Sequence, residues 1–104
     1  MNAEELKGHL DGLILAVVSR EPVHGYAVIE SLKARSGGEL ALPEGTVYPA
    51  LHRLEADGLL SSRWAVAGGR RRRVYSITKR GLKELDHSRE RWRVFANTIE
   101  AVLT

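Results

Sequence analysis

The chain has 104 residues, 43% hydrophobic and 28% charged, a balance that fits one soluble globular domain and excludes a disordered chain. It contains no cysteine, which excludes disulfides, thiolate metal sites and a cysteine nucleophile. The net charge of +3 is unevenly spread: residues 1–62 carry five Lys/Arg against nine Asp/Glu, residues 63–104 eleven against four. A basic C-terminal half points to a polyanionic partner. An anionic membrane competes for that role, but no segment joins a Lys/Arg-rich face to a free, bulky apolar one. With no run of about 18 apolar residues and no signal-peptide pattern, the expected location is cytoplasmic, off the membrane.

Residues 4–19 read as a first helix. Leu6, Leu10, Leu13, Ile14 and Val17 share a face, and Glu4 and Glu5 suit the positive end of its dipole. Leu15, Ala16 and Val18 widen the stripe, so the helix is covered on more than one side, a second subunit being one candidate cover. Pro22 ends it. His24, Gly25 and Tyr26 open a second helix running to about Arg35, with Tyr26, Ile29 and Leu32 inward and Ser36-Gly37-Gly38 as its stop. Leu40 and Leu42 alternate with Ala41, which predicts a short strand.

The stretch from Leu42 to Arg63 organises the chain. Val47, Ala50, Leu51 and Leu54 recur at i, i+3, i+4 and i+7, the spacing of a helix packed on a core. Thr46, Pro49, His52, Arg53 and Ala56 fall on the opposite face, with Tyr48 on the flank. Pro49 is compatible with a start near Glu44 and a loosened first turn, or with Thr46 as N-cap and Pro49 in the first turn. The first is favoured. Gly58 stands where a left-handed residue would stop the helix. On this pattern alone, an amphipathic surface helix and a DNA-reading helix fit equally; the residues after Gly58 decide between them.

From Leu59 to Thr78 the period changes to two. Gly68-Gly69 separates two alternating runs, a hairpin signal, and Arg70, Arg71, Arg72 and Arg73 occupy its tip and return strand. In isolation such a run is more often a solvated charge cluster; directly after a recognition-type helix it becomes a wing over phosphate. Thr78 caps a last helix over 79–103. Leu82, Leu85, Arg89, Trp92, Ala96, Ile99 and Leu103 follow a 3-4 spacing, with Phe95 and Val102 beside the seam. One small domain cannot cover that stripe, so the expectation is a homodimer zipped through this helix and assisted by helix one. Its interface would comprise Leu6, Leu10, Leu85, Trp92, Phe95, Ala96, Ile99 and Leu103. Trp92 and Phe95 could also receive a planar apolar effector.

The expected fold is mainly α with a small β-hairpin (α+β). Residues 1–78 form a winged helix-turn-helix and 79–104 a dimerisation helix packed with helix one. Catalysis has no support: His9, His24, His52 and His87 are scattered, and no nucleophile triad, carboxylate pair or phosphate loop stands out. No cofactor is expected. A metal-responsive sensor is the alternative function, with His87, Asp86 and Glu90, or His9 and Asp11, as donors, although solvated helix faces account for both groups. A winged helix used for protein binding is a further alternative, which the arginine wing disfavours.

Over nearly its whole length the chain resembles the PadR family of bacterial transcriptional regulators. The words that carry the likeness are LKGHLDGLIL at 6–15, HGYAVIESL at 24–32, LPEGTVYPALHRLEADGLL at 42–60, GRRRRVYSITKRGLKEL at 69–85 and WRVF at 92–95. The single last helix is similar to the family's short subfamily. The resemblance implies a dimer held by the last helix, binding to double-stranded DNA, and repression relieved by a small molecule. Founding members respond to phenolic acids and others sense drugs, so effector identity stays open. By position it implies DNA contact from Tyr26, Thr46, Tyr48, Pro49, His52 and Arg53 and from Gly69, Arg70, Arg71 and Arg72 in the wing. It also matches Trp92 and Phe95 to the aromatic pair of the dimerisation helix.

Overall fold

A computed structural model describes residue 6 and residues 8–104 of the chain. Its elements run α1 (Leu10–Arg20), β1 (Val23–His24), α2 (Gly25–Arg35), α3 (Glu44–Ala56), β2 (Leu60–Ala67), β3 (Arg70–Ile77) and α4 (Lys79–Leu103). Three helices enclose a core built on Ile14, Leu15, Val18, Val28, Val47, Leu51 and Leu54, and an antiparallel sheet of order β1-β3-β2 closes one side through Leu60 and Tyr75. The architecture is mainly helical with a small sheet, as the sequence predicts.

The first helix differs from its expected span of 4–19. Gly8 has φ 85°, a left-handed conformation that a right-handed helix cannot contain, and α1 begins only at Leu10. Leu6 lies before that break and is buried, its carbonyl accepting from His9 N at 2.8 Å. The expected dipole partners Glu4 and Glu5 lie outside the described residues. At the far end Glu21 is extended (φ −166°), as the residue before Pro22 should be.

The inner face of α2 is Gly25, Val28 and Leu32, with Ile29 partly covered. Tyr26, expected inward, is instead 48% exposed. The strand predicted at Leu40–Leu42 does not form. Leu40 is buried and Ala41 exposed, but the segment has no pairing partner among the described residues. The third strand is Val23–His24, in register with Tyr75 and Val74 of β3.

Helix α3 forms as its periodicity predicts. It starts at Glu44 with Pro43 as N-cap, contains Pro49 on its outer side, and buries Val47, Ala50, Leu51 and Leu54. Pro49 has no N–H to donate to the Gly45 carbonyl four residues back, so α3 runs without that one backbone bond. Gly58 ends the helix at φ 78°, with Leu59 N donating to Leu54 O at 2.9 Å and Gly58 N to Glu55 O at 3.0 Å, the paired bonds of a Schellman stop. In the hairpin Gly68 (φ 60°) and Gly69 (φ 76°) both adopt the left-handed backbone that a two-residue turn between twisted strands demands.

Thr78 joins three elements. Its Oγ1 caps α4 by accepting from Gly81 N at 3.0 Å and donates to Gly58 O at 2.7 Å, fixing where α4 leaves the sheet. The helix then crosses α1 where Gly12 faces the Ser88 side chain. Leu85 of α4 and Leu6 ahead of α1 are both buried, and both belong to this chain's own core. Both are also expected at the interface between copies; within the single chain their side chains fill the core. Beyond Ser88 the helix is largely uncovered by the described residues, and Trp92, Phe95, Ile99 and Leu103 stand 45–79% exposed.

Candidate nucleic-acid interface

Helix α3 turns a polar, sterically modest face outward. Thr46 and Tyr48 are half-buried, and Pro49, His52 and Arg53 are exposed. The Tyr48 ring lies against the start of α2, so close that a Cβ on Gly25 would come within 2.5 Å of its Cε1. Burial, reinforced by the Glu44 charge, raises the Tyr48 hydroxyl above the usual phenol range, and Arg72 partly offsets this. Tyr48 therefore meets a partner as a neutral donor.

Between α3, the start of α2 and the hairpin runs an open cleft of about 430 Å³. Tyr26, Tyr48, His52 and Arg72, all singled out from sequence, line it together with His24, Trp64 and Tyr75. His24 caps α2 through Nδ1, which accepts from Ala27 N at 3.3 Å. The Arg72 Nη1 lies 3.3 Å from Nδ1 and 3.4 Å from Nε2 of the same imidazole. The lone pairs of two ring nitrogens diverge, so a donor equidistant from both rests over the ring rather than in its plane. Aromatic walls with a cation across one end suit a sugar–phosphate strand.

The wing arginines divide by strand face. Arg71 and Arg73 place their guanidinium carbons 4.8 and 5.2 Å from the centre of the Trp64 ring. The sequence suggests an arginine run without apolar support; the structure supplies that support through Trp64. Sequence reading missed this role, although the register was countable. A turn centred on Gly68-Gly69 pairs Trp64 with Arg73 and Val66 with Arg71, on one face. Arg73 is spoken for otherwise too, its Nε donating to Ser62 Oγ at 2.6 Å beside Glu55 Oε2 at 3.6 Å. Ser62 Oγ in turn donates to Glu55 at 2.5 Å, which ties α3 to the wing. Arg70 and Gly69 are exposed at the tip.

Arg53 does not join the cleft. It turns the other way, to α1, where Nη1 and Nη2 donate to the two Asp11 carboxylate oxygens at 2.8 and 2.6 Å. That bond raises the guanidinium pKa further above its usual value, with burial opposing. Asp11 thereby has both oxygens engaged and is a poor metal donor beside His9. The His9 ring meets Trp92 edge-on, with centroids 5.5 Å apart, and lies 6.0 Å from Phe95. Among the described residues no group of three or more His, Asp or Glu is arranged to hold a metal ion. Trp92 and Phe95 are themselves neighbours, their centroids 5.7 Å apart.

Comparison with known proteins agrees with this geometry. The model of the "Transcriptional regulator PadR-like family" matches residues 14–87, from the middle of α1 into α4. The transcriptional regulator Rv3488 of Mycobacterium tuberculosis is 45% identical over 76 residues, covering 73% of this chain and 68% of that protein. The crystal structure of a PadR-like transcriptional regulator from Bacillus cereus is 30% identical, covers 98% of both chains and superposes with a TM-score of 0.85. A PadR family regulator from Eggerthella lenta is 35% identical with a TM-score of 0.82, over 96% of this chain and 86% of that one. The chain therefore belongs to the PadR-like family of transcriptional regulators.

Proposed function

We propose that the chain acts as a homodimeric, sequence-specific DNA-binding repressor whose grip on an inverted-repeat operator is relieved by a small aromatic effector. Members of its family regulate transcription and are not enzymes. The observation that carries the reading is a cation-bearing wing that flanks, across an aromatic cleft, a helix face whose one arginine is paired with Asp11. Thr46 and Pro49 at the leading end of α3 read base edges in the major groove, and His52 faces the same groove from the cleft side. Tyr26, Tyr48 and Arg72 hold the backbone that runs through the cleft, while Gly69, Arg70 and Arg71 carry the wing onto the neighbouring phosphates.

The second copy is inferred from α4. Trp92, Phe95, Ile99 and Leu103 stand exposed along α4 among the described residues, with half-buried Ala96 between them, and Leu10 of α1 is only partly buried. A two-fold pairing of these helices would set two copies of α3 about one turn of DNA apart, roughly 34 Å. Trp92 and Phe95, with His9 against them, offer the flat surface on which a planar effector would stack. No helix among the described residues is long and apolar enough to cross a membrane, which agrees with action on cytoplasmic DNA.

Selection of duplexes from a random pool by the full-length protein tests the reading. Enrichment of an inverted repeat with half-sites one helical turn apart is the expected result. An enriched site without two-fold symmetry contradicts the dimeric arrangement, and no enrichment contradicts sequence-specific binding.

A further inference from the structure

The fork between Arg53 and Asp11 ties up the one cation of α3. Helix α3 carries three charged side chains, Glu44, Arg53 and Glu55. Glu55 is engaged by Ser62 and Arg73, and Arg53 by both oxygens of Asp11. Asp57, at the C-cap of the same helix, adds a second negative charge within electrostatic reach of Arg53. The reading helix thus offers no unmatched cation to a phosphate, whereas Arg70 and Arg71 of the wing do. Phosphate contacts raise affinity for every sequence alike, so a free arginine beside the base-reading residues would favour random DNA as much as operator. Specificity is a difference of affinities, so a sequence-blind contribution cancels from it, and removing that contribution lowers affinity for all DNA alike. Arg53 springs from the outer face of α3, and the pair is open to solvent, its side chains 52% and 40% exposed. An exposed pair of this kind adds little to fold stability, so its main consequence is the charge presented to a ligand.

We propose that Asp11 sets the overall DNA affinity of the reading helix: by holding the Arg53 guanidinium it withholds one phosphate contact per subunit and so weakens binding to operator and non-operator DNA alike. The inference rests on the DNA-binding reading above. It differs from an arrangement in which Asp11 aims Arg53 at a base. There, loss of Asp11 would weaken operator binding and leave random DNA unchanged.

The test is a double-mutant cycle on the full chain with Asp11→Asn, Arg53→Ala and both together. The probes are a random-sequence duplex and a duplex selected by the wild-type protein, titrated between about 50 and 200 mM salt. Asp11→Asn should tighten binding to the random and the selected duplex by the same factor, leaving the ratio between them unchanged. Its log affinity should fall more steeply with log salt by about one per subunit, so that the gain over wild type shrinks roughly three- to fourfold per subunit across that range. Arg53→Ala should abolish this added slope. Any gain that persists without Arg53 is the long-range effect of removing a negative charge. No gain on either duplex, a loss confined to the selected duplex, or an added slope that survives Arg53→Ala overturns the proposal. Were the wild-type protein to bind neither duplex, the DNA-binding reading would fall with it, an outcome distinct from all of these.

Discussion

Gly81 and Gly25 are both closed to a side chain, but by neighbours of different kinds. A Cβ at Gly81 would stand 2.1 Å from the Leu59 carbonyl oxygen, where α4 leaves the sheet, and backbone cannot yield there. Gly81→Ala should therefore cost about 1–3 kcal/mol, read as a lower midpoint in urea with the slope unchanged. At Gly25 the obstacle is the Tyr48 ring, which can swing aside. Gly25→Ala should cost less stability yet weaken DNA binding, because it displaces a residue of the cleft. Equal losses of stability in the two variants would contradict this contrast. Tyr26 shows how a single side chain can mislead: its apolar body suited the inner face, yet Val28 fills that place and the tyrosine lines the cleft. Periodicity counts apolar bodies, and tyrosine presents both an apolar ring and a polar tip.

At the scale of elements, the wing is a supported device rather than a loose charged loop. Trp64 gives Arg71 a shelf, and Glu55 with Ser62 fastens Arg73. Trp64→Leu keeps every charge but removes the shelf, so affinity should fall by about 0.5–1 kcal/mol, severalfold, while the salt slope stays as in wild type. A slope that changes with Trp64 would mean that the ring alters the number of phosphate contacts, against this account. The hairpin, α3 and its buried stripe were legible because their periods run for many residues and end in glycines of defined conformation. β1 was not, since two residues carry no period and its pairing with β3 is set by tertiary packing. Gly8 escaped notice because an isolated glycine inside a helical pattern is ordinarily tolerated. Nor could the Arg53–Asp11 fork be read, being a contact between residues 42 apart in the chain. Tyr26, Tyr48, His52 and Arg72, singled out from sequence, do line one cleft, while the partners that engage Arg53, Arg71, Arg72 and Arg73 were not legible.

The molecule as a whole is a compact helix–sheet body from which the end of α4 projects, with extents of 53 × 29 × 20 Å. The exposed aromatic and aliphatic side chains on that projection are what a second copy would cover. Ile99→Asp should place an unpaired charge in the paired helices, weakening association by on the order of 3 kcal/mol, which sedimentation would register as a shift toward monomer. A wild-type monomer at tens of micromolar would contradict the dimer. The central claim is that α3 reads sequence and the wing carries charge, and the salt dependence of DNA affinity tests it most directly. Arg70→Ala with Arg71→Ala should weaken operator and random duplexes alike, and should lower the slope by about one for each phosphate that a subunit no longer neutralises. Thr46→Val should cost about 1–3 kcal/mol on the operator and leave random-DNA affinity and slope nearly unchanged. A wing double variant that keeps the wild-type slope, or a Thr46 variant that weakens random DNA as much as operator, would contradict it.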